Sequence, residues 1–558
     1  MASDDDETQA GFTWQLAARA IALVACATAI GLVVGPWFRD ISTFGFEDWD
    51  VETSHRELVR QALLRYHELP GWNPYACGGF PAWGYVEADT ILVSPFLPLY
   101  LALPMALALR LEVLGMAVLG AVGAYLAASR FSKSEAARAL VVALWAVDGR
   151  WALQTAAGHT WHLAYAFLPF CLWFFERARQ RERRVVDLAG GAGCFAMLVY
   201  AGGIYPLPHT VLALFVYATC LAIGERSARP LTTLAAMGAL GVGLAAPKLL
   251  PLLDGFGKAP RLIASTETTD LGALVTMLTS HDQGWGARPA RVAPYGWHEW
   301  GLYIGVVGMV VLVLAVVFVR GKRETALKVT GLVFLVLGLG AFHPDAPWTL
   351  LHELAPVFRS QHVPSRFLYP AVLLLAIVAA AGIGRFVERR AVRRPWLDAA
   401  LGLLVVAIAA DVGFVAQKPM QAAMWLVPPD HIPEGRAFHF EQEPPFNYKK
   451  RHWAGPMYLA MLGNTGVINC YGAPPFDRKG AQPITSKTYH GEAWLDGEGT
   501  ATIAAWSPNH VEIDVGGAKV GERLVYNMNF DEGWSSDAGP VEDFGAVVST
   551  RLSSASGR

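Results

Sequence analysis

The sequence predicts a polytopic α-helical membrane protein with a β domain outside the membrane at its C-terminus. Of its 558 residues, 53% are hydrophobic and 16% are charged, which leaves too little polar surface for a soluble protein of this size. Apolar runs that can be taken as membrane helices number about eleven, some of them marginally short. After Gln417 the membrane hydrophobicity ends, and from about Gly491 the residues alternate as they do in strands.

The first predicted span covers residues 14–34, and we interpret it as an anchor because no small-residue cleavage site is evident. The segment 94–104 is not counted, since its prolines suit an interfacial or re-entrant piece better than a full span. The remaining spans lie near 106–130, 136–150, 160–176, 187–204, 206–224, 230–250, 299–319, 326–342, 367–384 and 395–415.

The positive-inside rule supports this count, because with eleven spans every basic loop faces the cytoplasm. These loops lie at 130–138, 177–184, 226–229, 320–323 and 385–394. The N-terminus is then cytoplasmic. We therefore predict two parts: a membrane module, 1–416, with a long first external loop at 37–105, and an extracytoplasmic region, 417–558, that is β-rich from about 491.

The first external loop is where chemistry is most expected. It opens with Glu47-Asp48-Trp49-Asp50 and continues into an apolar pattern that fits a helix on the membrane surface. Two carboxylates one residue apart can hold a divalent cation or orient an acceptor hydroxyl. Equally, Asp50 can cap the following helix while Asp48 is solvated. The loop closes with aromatic, amide and glycine residues at 70–81, where Trp72 and Asn73 are candidate binding residues.

Further candidates lie at the outer ends of other predicted spans. His159 can donate to phosphate or sugar oxygens, or be satisfied by backbone. Glu299 is either functional or snorkels to water. Arg366 can bind a lipid phosphate with two hydrogen bonds or anchor the span among headgroups. Lys248 is likewise a phosphate ligand or a snorkelling residue.

The cysteines, the net charge and the acids of the tail give three further predictions. The chain has six cysteines without a C-x-x-C pair, and Cys77 and Cys470 alone fall in the predicted external compartment, so a disulfide between them is predicted, with two separate thiols as the alternative. A net charge of −2 implies no nucleic-acid partner. The acids of the β-rich tail are scattered, so we expect an accessory module without the catalytic carboxylates.

Several short motifs follow one another in a characteristic order. They are the acidic first loop, Leu-Pro-Gly-Trp-Asn-Pro-Tyr at 69–75, Gly-Gly-Phe-Pro at 78–81, Ser94-Pro95, Gly158-His159, Leu168-Pro169, Glu299 with Tyr-Ile-Gly at 303–305, Arg366-Phe367 and Gly533-Trp534. In this order the sequence resembles the YfhO-type bacterial membrane proteins of the GT-C glycosyltransferase superfamily.

The resemblance implies a GT-C-like enzyme in the bacterial inner membrane that builds the cell envelope. Such an enzyme moves a sugar from a polyprenyl phosphate to an extracytoplasmic glycan, lipid or polymer acceptor. By position, the acidic residue that acts as catalytic base, or as part of an acceptor and metal site, is Asp48 or Asp50. A bound Mg or Mn ion would be held by the same pair. Lys248, Arg366 or a divalent ion would compensate the phosphate charge.

Two other classes of function remain open. A transporter or lipid flippase would need ionisable residues at mid-membrane and helices related by internal symmetry, whereas the charged candidates here collect at the outer ends of spans. A non-catalytic envelope-glycan assembly protein, whose tail binds glycan, is the second alternative. For the enzyme we expect Asp48, Asp50, His159, Glu299 and Arg366 to converge on one cavity.

Overall fold

The computed structural model of the chain describes residues 4–46, 48–84, 91–180, 184–284, 295–391, 393–427, 438–440, 456–468, 480–555 and 557. In chain order the α-helices are α1 (Asp4–Val34), α2 (Asp48–Leu64), α3 (Leu97–Ala102), α4 (Met105–Ser129), α5 (Glu135–Trp145), α6 (Gly149–Ala156), α7 (Leu168–Gln180), α8 (Arg184–Tyr200), α9 (Pro206–Glu225), α10 (Arg229–Lys258), α11 (Leu271–Thr279), α12 (Trp297–Trp300), α13 (Gly305–Phe318), α14 (Lys322–Gly338), α15 (Pro347–Leu354), α16 (Pro356–Arg359), α17 (Leu368–Glu388), α18 (Leu397–Ala423) and α19 (Pro456–Leu462).

The strands are short before the tail and longer within it. They are β1 (Phe44–Gly45), β2 (Trp72–Asn73), β3 (Phe80–Pro81), β4 (Met424–Leu426), β5 (His439–Phe440), β6 (Gly466–Val467), β7 (Ala493–Leu495), β8 (Thr500–Trp506), β9 (Val511–Gly516), β10 (Arg523–Asn529), β11 (Val541–Phe544) and β12 (Val547–Arg551).

The described helices confirm a multi-pass membrane protein. Seven of them are long and apolar enough to cross a membrane, and each coincides with a predicted span: Thr13–Phe38, Met105–Ser129, Pro206–Glu225, Arg229–Lys258, Trp297–Phe318, Pro364–Glu388 and Leu397–Ala423. The short helix α3 lies within the segment 94–104, which we had excluded from the spans.

The other predicted spans coincide with shorter helices. The run 136–150 is divided between α5 and α6, because Asp148 begins a new helix by accepting a hydrogen bond from the backbone N–H of Trp151 at 2.9 Å. The run 160–176 is divided between a 3₁₀ helix, Thr160–Phe167, and α7. Helices α8 and α14, in the two remaining runs, have 17 residues each. The hydrophobicity of a run does not show whether the run is divided between two helices.

The topology itself can be tested by labelling in intact cells. We expect a cysteine introduced in the basic loop 177–184 to be protected from a membrane-impermeant maleimide, because Lys and Arg are retained on the cytoplasmic side. A cysteine placed in the tail, at Glu498, should react. Equal labelling at both positions would show that the predicted topology is wrong.

The chain divides into two compact units. The first consists of Met1–Ile41, Arg110–Pro247 and Leu262–Met424, and it holds most of the apolar helices. Helix α1 packs along α18, where a Cβ atom on Gly402 would lie 2.8 Å from Ile21 and one on Gly413 would lie 3.0 Å from Leu32. Small residues thus permit the close approach of two membrane helices. Helix α17 is buried along most of its length.

The second unit consists of Ser42–Leu109, Lys248–Arg261 and Trp425–Arg558. Most of the predicted first loop thus shares a compact unit with the C-terminal region, and the division into domains at 416/417 stays a prediction. The tail is a β domain, as predicted, with a four-stranded antiparallel sheet in the order β11-β12-β10-β7 and a separate hairpin of β8 and β9.

Two asparagines of the tail hold the first loop. The side-chain amide of Asn529 donates to the carbonyl oxygens of Cys77 and Gly79 at 2.8 and 3.0 Å. The side-chain oxygen of Asn509 accepts from the backbone N–H groups of Gly71 and Trp72, both at 2.9 Å. A Cβ atom on Gly79, whose φ is +98°, would lie 2.4 Å from the sulfur of Met528 in the neighbouring strand. Glycine is therefore required for this close approach.

Candidate functional site

The two carboxylates of the first loop have different environments. Asp48 is the first residue of α2 and is half-buried. Asp50 is fully buried in the first turn of the same helix, and its two oxygens accept from the backbone N–H groups of Met457 and Tyr458, each at 2.9 Å. These N–H groups belong to the first turn of α19. Asp50 therefore caps a helix, as one interpretation expected, but the helix lies far along the chain instead of following Asp50 directly.

Burial raises the pKa of Asp50 from its ordinary 3.8 to about 7, against the opposing effect of the hydrogen bonds from Met457 and Tyr458. A carboxyl group whose pKa is raised by folding binds its proton more tightly in the folded state. Its contribution to the free energy of unfolding is fully present below the unfolded pKa and is lost as pH rises through the folded pKa.

We therefore expect the stability of the wild type to fall relative to that of Asp50→Asn as pH rises from about 4 to about 7. The asparagine cannot ionise, so the loss should be confined to the wild type. Melting temperatures of the two purified proteins, measured side by side across this range, give the comparison. If the melting temperatures of the two proteins change with pH in parallel, the raised pKa of Asp50 is contradicted.

Helix α2 is buried on all sides over residues 49–59 and becomes exposed only in its last turn, whereas its pattern predicted a helix on the membrane surface. Its charged residues are accommodated by pairing: Arg56 donates to the Glu52 carboxylate and to the hydroxyl of Tyr100, both at 3.1 Å. His55 is also buried, and burial, together with the positive charges of Arg56 and Lys248, lowers the pKa of its imidazole to about 3. Lys248 itself is fully buried within α10.

Trp72 and Asn73 have structural surroundings in the second unit. Trp72 is buried in an apolar cluster with Tyr526, Met528 and Val548 of the sheet. Asn73 is buried too, and its side-chain oxygen accepts from the backbone N–H of Tyr75 at 3.1 Å. Both side chains thus contribute to the packing of the loop against the tail. A binding role for them stays a prediction.

In the first unit, Glu299 and Arg366 form a buried ion pair. The Nε atom of Arg366 donates to one carboxylate oxygen at 3.0 Å, and its Nη2 atom donates to the other. The guanidinium also lies 4.7 Å from the ring centre of Trp161 and 4.1 Å from that of Tyr205. A planar cation held on two sides by rings and on a third by a carboxylate has a fixed orientation.

Residues of α6 complete this cluster. Gln154 donates to the Glu299 carboxylate at 3.3 Å, and its oxygen bonds the Nδ1 atom of His159 at 2.8 Å. Arg150 donates to the backbone carbonyl of Glu299 at 2.5 Å and to the hydroxyl of Ser365 at 3.2 Å. Glu299 is thus held through both its side chain and its main chain.

The structure therefore brings together three predicted residues, His159, Glu299 and Arg366, in the first unit. The other predicted residues, Asp48, Asp50, Trp72, Asn73 and Lys248, belong to the second unit. The convergence of both groups on one cavity stays a prediction. Sequence reasoning missed Arg150 and Gln154. Arg150 had a signal, because a charged residue at the end of an apolar run is costly and marks a site or a structural pair.

The predicted metal site and the predicted disulfide both stay predictions. Among the described residues, no group of three or more His, Cys, Asp or Glu side chains is placed to hold a metal ion. An Mg or Mn ion held by Asp48 and Asp50 therefore stays a prediction. Cys77 is disulfide-bonded, whereas Cys470 lies outside the described residues, so the pairing stays a prediction.

Comparisons with known proteins give distant structural likenesses. A search of family models finds no match, and a search of curated proteins finds none either. The arabinofuranosyltransferase AftD from Mycobacteria is 18% identical with a TM-score of 0.41, covering 72% of this chain and 27% of AftD. The Archaeoglobus fulgidus oligosaccharyltransferase AglB, in complex with an inhibitory peptide and a dolichol-phosphate, is 11% identical with a TM-score of 0.44, covering 73% of this chain and 56% of AglB.

The apo form of the Archaeoglobus fulgidus oligosaccharyltransferase is 12% identical with a TM-score of 0.43, again covering 73% of this chain and 56% of the other. The chain thus spans between a quarter and somewhat over half of the length of these proteins. Because every TM-score is below 0.5, no assignment rests on them, and what is established is a multi-pass helical membrane protein with a C-terminal β domain.

Proposed function

We propose that this chain is a GT-C type glycosyltransferase of the bacterial inner membrane. It moves a sugar from a polyprenyl-phosphate donor to an extracytoplasmic glycan, lipid or polymer acceptor. The observation that carries the proposal is the half-buried carboxylate of Asp48 at the start of a helix whose next eleven residues, 49–59, are buried. A carboxylate in this place is what the resemblance to YfhO-type proteins expects of the catalytic base.

The difference between Asp48 and Asp50 supports a division of roles. Asp50 is committed to the backbone N–H groups of Met457 and Tyr458, so we assign it to positioning. Asp48 precedes it on the same helical turn and is partly accessible. A base held on a rigid element reacts from a fixed place, which lowers the entropy cost of the transfer step.

In the proposed reaction, Asp48 removes the proton of an acceptor hydroxyl. The oxygen then attacks the anomeric carbon of the donor sugar, the bond from this carbon to the phosphate oxygen breaks, and polyprenyl phosphate leaves with the electron pair. Phosphate is a good leaving group, so the protein has mainly to position the reactants and to compensate charge.

The two predicted phosphate ligands, Arg366 and Lys248, have different roles in the proposal. Two nitrogen atoms of Arg366 are bonded to Glu299, so we assign Arg366 to holding Glu299 and not to the phosphate. Lys248 is the cation that we propose for the phosphate, since it is a fully buried lysine in a membrane helix and belongs to the same unit as Asp48. Burial strengthens the attraction between a cation and an anion.

The test is a transfer assay with the full chain in lipid nanodiscs. Polyprenyl phosphates that carry different single sugars are supplied together with a mixed glycan acceptor extract, and the release of free polyprenyl phosphate is measured. Sugar-dependent release supports the proposal. If the protein releases none from any donor but moves a fluorescent polyprenyl lipid between bilayer leaflets, it is a flippase and the proposal fails.

A further inference from the structure

The β domain of the tail contains a cleft of about 830 Å³ between the hairpin of β8 and β9 and the four-stranded sheet. Its volume lies within the range of about 300–1,000 Å³ that is usual for small-molecule sites. One wall consists of half-buried side chains of β9, among them Val511 and Ile513, and the loop after β10 contributes Trp534. The cleft thus has room for several sugar units.

We infer that this cleft binds a neutral oligosaccharide. The chemistry of its lining carries the inference. Sugar rings present flat C–H faces and hydroxyl edges, so a site for them combines an aromatic ring with hydroxyl and carboxylate groups. Here the ring is Trp534, and the polar groups next to it in the chain are Ser535, Ser536 and Asp537. Tryptophan suits this role because its ring has a large apolar face and carries one polar N–H group at its edge.

The ring of Trp534 is held in place before any ligand arrives. It meets the rings of Trp72 and Tyr526 edge-on, with centres 5.4 and 6.1 Å away. Its loop is closed by hydrogen bonds of its own: the Asp531 carboxylate accepts from the N–H of Gly533 at 2.8 Å, and the Ser536 hydroxyl accepts from the N–H of Ala538 at 3.1 Å. A preformed site has little ordering entropy to lose on binding.

The charges of the lining favour a neutral ligand over an anionic one. The residues that line the cleft in the described part of the chain include the acids Glu512 and Asp537 but neither lysine nor arginine. Lysine and arginine are the side chains that most often bind phosphates and other anions, and His510 is the one described lining residue that can become a cation, so the lining favours a neutral ligand over a phospholipid headgroup or an acidic polymer. Asp537 is exposed and makes no hydrogen bond or ion pair to a described residue, so its oxygens are available to ligand hydroxyls.

The experiment uses the full chain in nanodiscs without any sugar donor. Tetrasaccharides of glucose, mannose, galactose and arabinose are titrated by calorimetry against the wild type, Asp537→Ala, Trp534→Leu and Glu498→Ala. Glu498 is a matched control, since it is an exposed acid of the same domain outside the cleft. We expect at least one tetrasaccharide to bind, Asp537→Ala to weaken it about tenfold or more, and Glu498→Ala to match the wild type.

Binding of oleate in competition with the sugar would show that the cleft holds an acyl chain, and it would overturn the inference. Failure of every tetrasaccharide to bind the folded wild type would overturn it too, as would equal affinity of Asp537→Ala. Trp534→Leu keeps an apolar wall, so its melting temperature shows whether weaker binding reflects the lost ring or lost folding. Because no donor is present, the outcome is independent of the proposed transferase activity.

Discussion

Asp48→Asn is expected to lower the rate of sugar transfer by about 10² to 10⁴, which is the usual cost of removing a general base. Folding should be unaffected, because an amide at the first position of α2 can still accept a hydrogen bond from the helix N-terminus. Transfer rates and melting temperatures of the purified proteins, measured in the same nanodiscs, separate these two effects. A variant with a normal melting temperature and almost no transfer identifies Asp48 as the base.

The matched control is Asp50→Asn, two residues away on the same helix. An asparagine there can accept one of the two backbone hydrogen bonds from Met457 and Tyr458 but not both, so we expect lower stability, by about 0.5–2 kcal/mol, with most of the transfer rate retained at a temperature where the protein is folded. If Asp50→Asn loses transfer while Asp48→Asn does not, the two roles are exchanged. If both variants and the double variant transfer normally, the base must be sought elsewhere, first at Glu299.

Glu299→Ala is expected to produce a large loss of stability in the first unit. It leaves the guanidinium of Arg366 buried without its carboxylate, and breaking a buried ion pair in this way typically costs about 3–5 kcal/mol. Arg366→Ala should cost a similar amount and also removes the contact with the rings of Trp161 and Tyr205. Unfolding in detergent, followed by a denaturant titration, measures both.

The double variant provides the internal check. Once both charges are removed, neither member of the pair is left without its partner, so the loss should be clearly smaller than the sum of the two single losses. Glu498→Ala, in an exposed pair with Lys519, should change stability by less than about 0.5 kcal/mol. Additive losses for Glu299 and Arg366 would mean that the two side chains contribute independently, and the pair would not be a unit.

The fold class was predictable because long runs of apolar residues are evident in the sequence. Runs such as 367–384 and 395–415 match the helical spans Pro364–Glu388 and Leu397–Ala423, and the strand pattern predicted from about Gly491 coincides with β8, β9 and β10. The hairpin of β11 and β12 was not predicted, although Gly545, with φ +66°, marks its turn. Its strands are only four and five residues long, and so short a pattern is easily lost.

The surroundings of α2 were beyond sequence reasoning for a physical reason. Its apolar periodicity correctly predicted a helix, yet periodicity reports one apolar face and says nothing about what covers the other. Here the polar face is also buried, and Glu52 and Arg56 satisfy each other one turn apart. The N–H group that donates to Asp50 and the side-chain oxygen that accepts from Gly71 belong to residues more than 400 positions later. No local pattern encodes such a partner.

These long separations have a consequence for biosynthesis. The hydrogen bond from Gly71 to Asn509 joins residues 438 positions apart, and that from Asn529 to Cys77 spans 452 positions. Since chains grow from the N-terminus at about 5–20 residues per second, the first loop is made tens of seconds before the strands that complete it. During this interval its glycine-rich end, 70–81, has no native sheet to pack against. A ribosome that stops before Asn509 therefore releases a chain whose first loop lacks its packing partners, and we expect such a truncated product to be a substrate for proteolytic quality control.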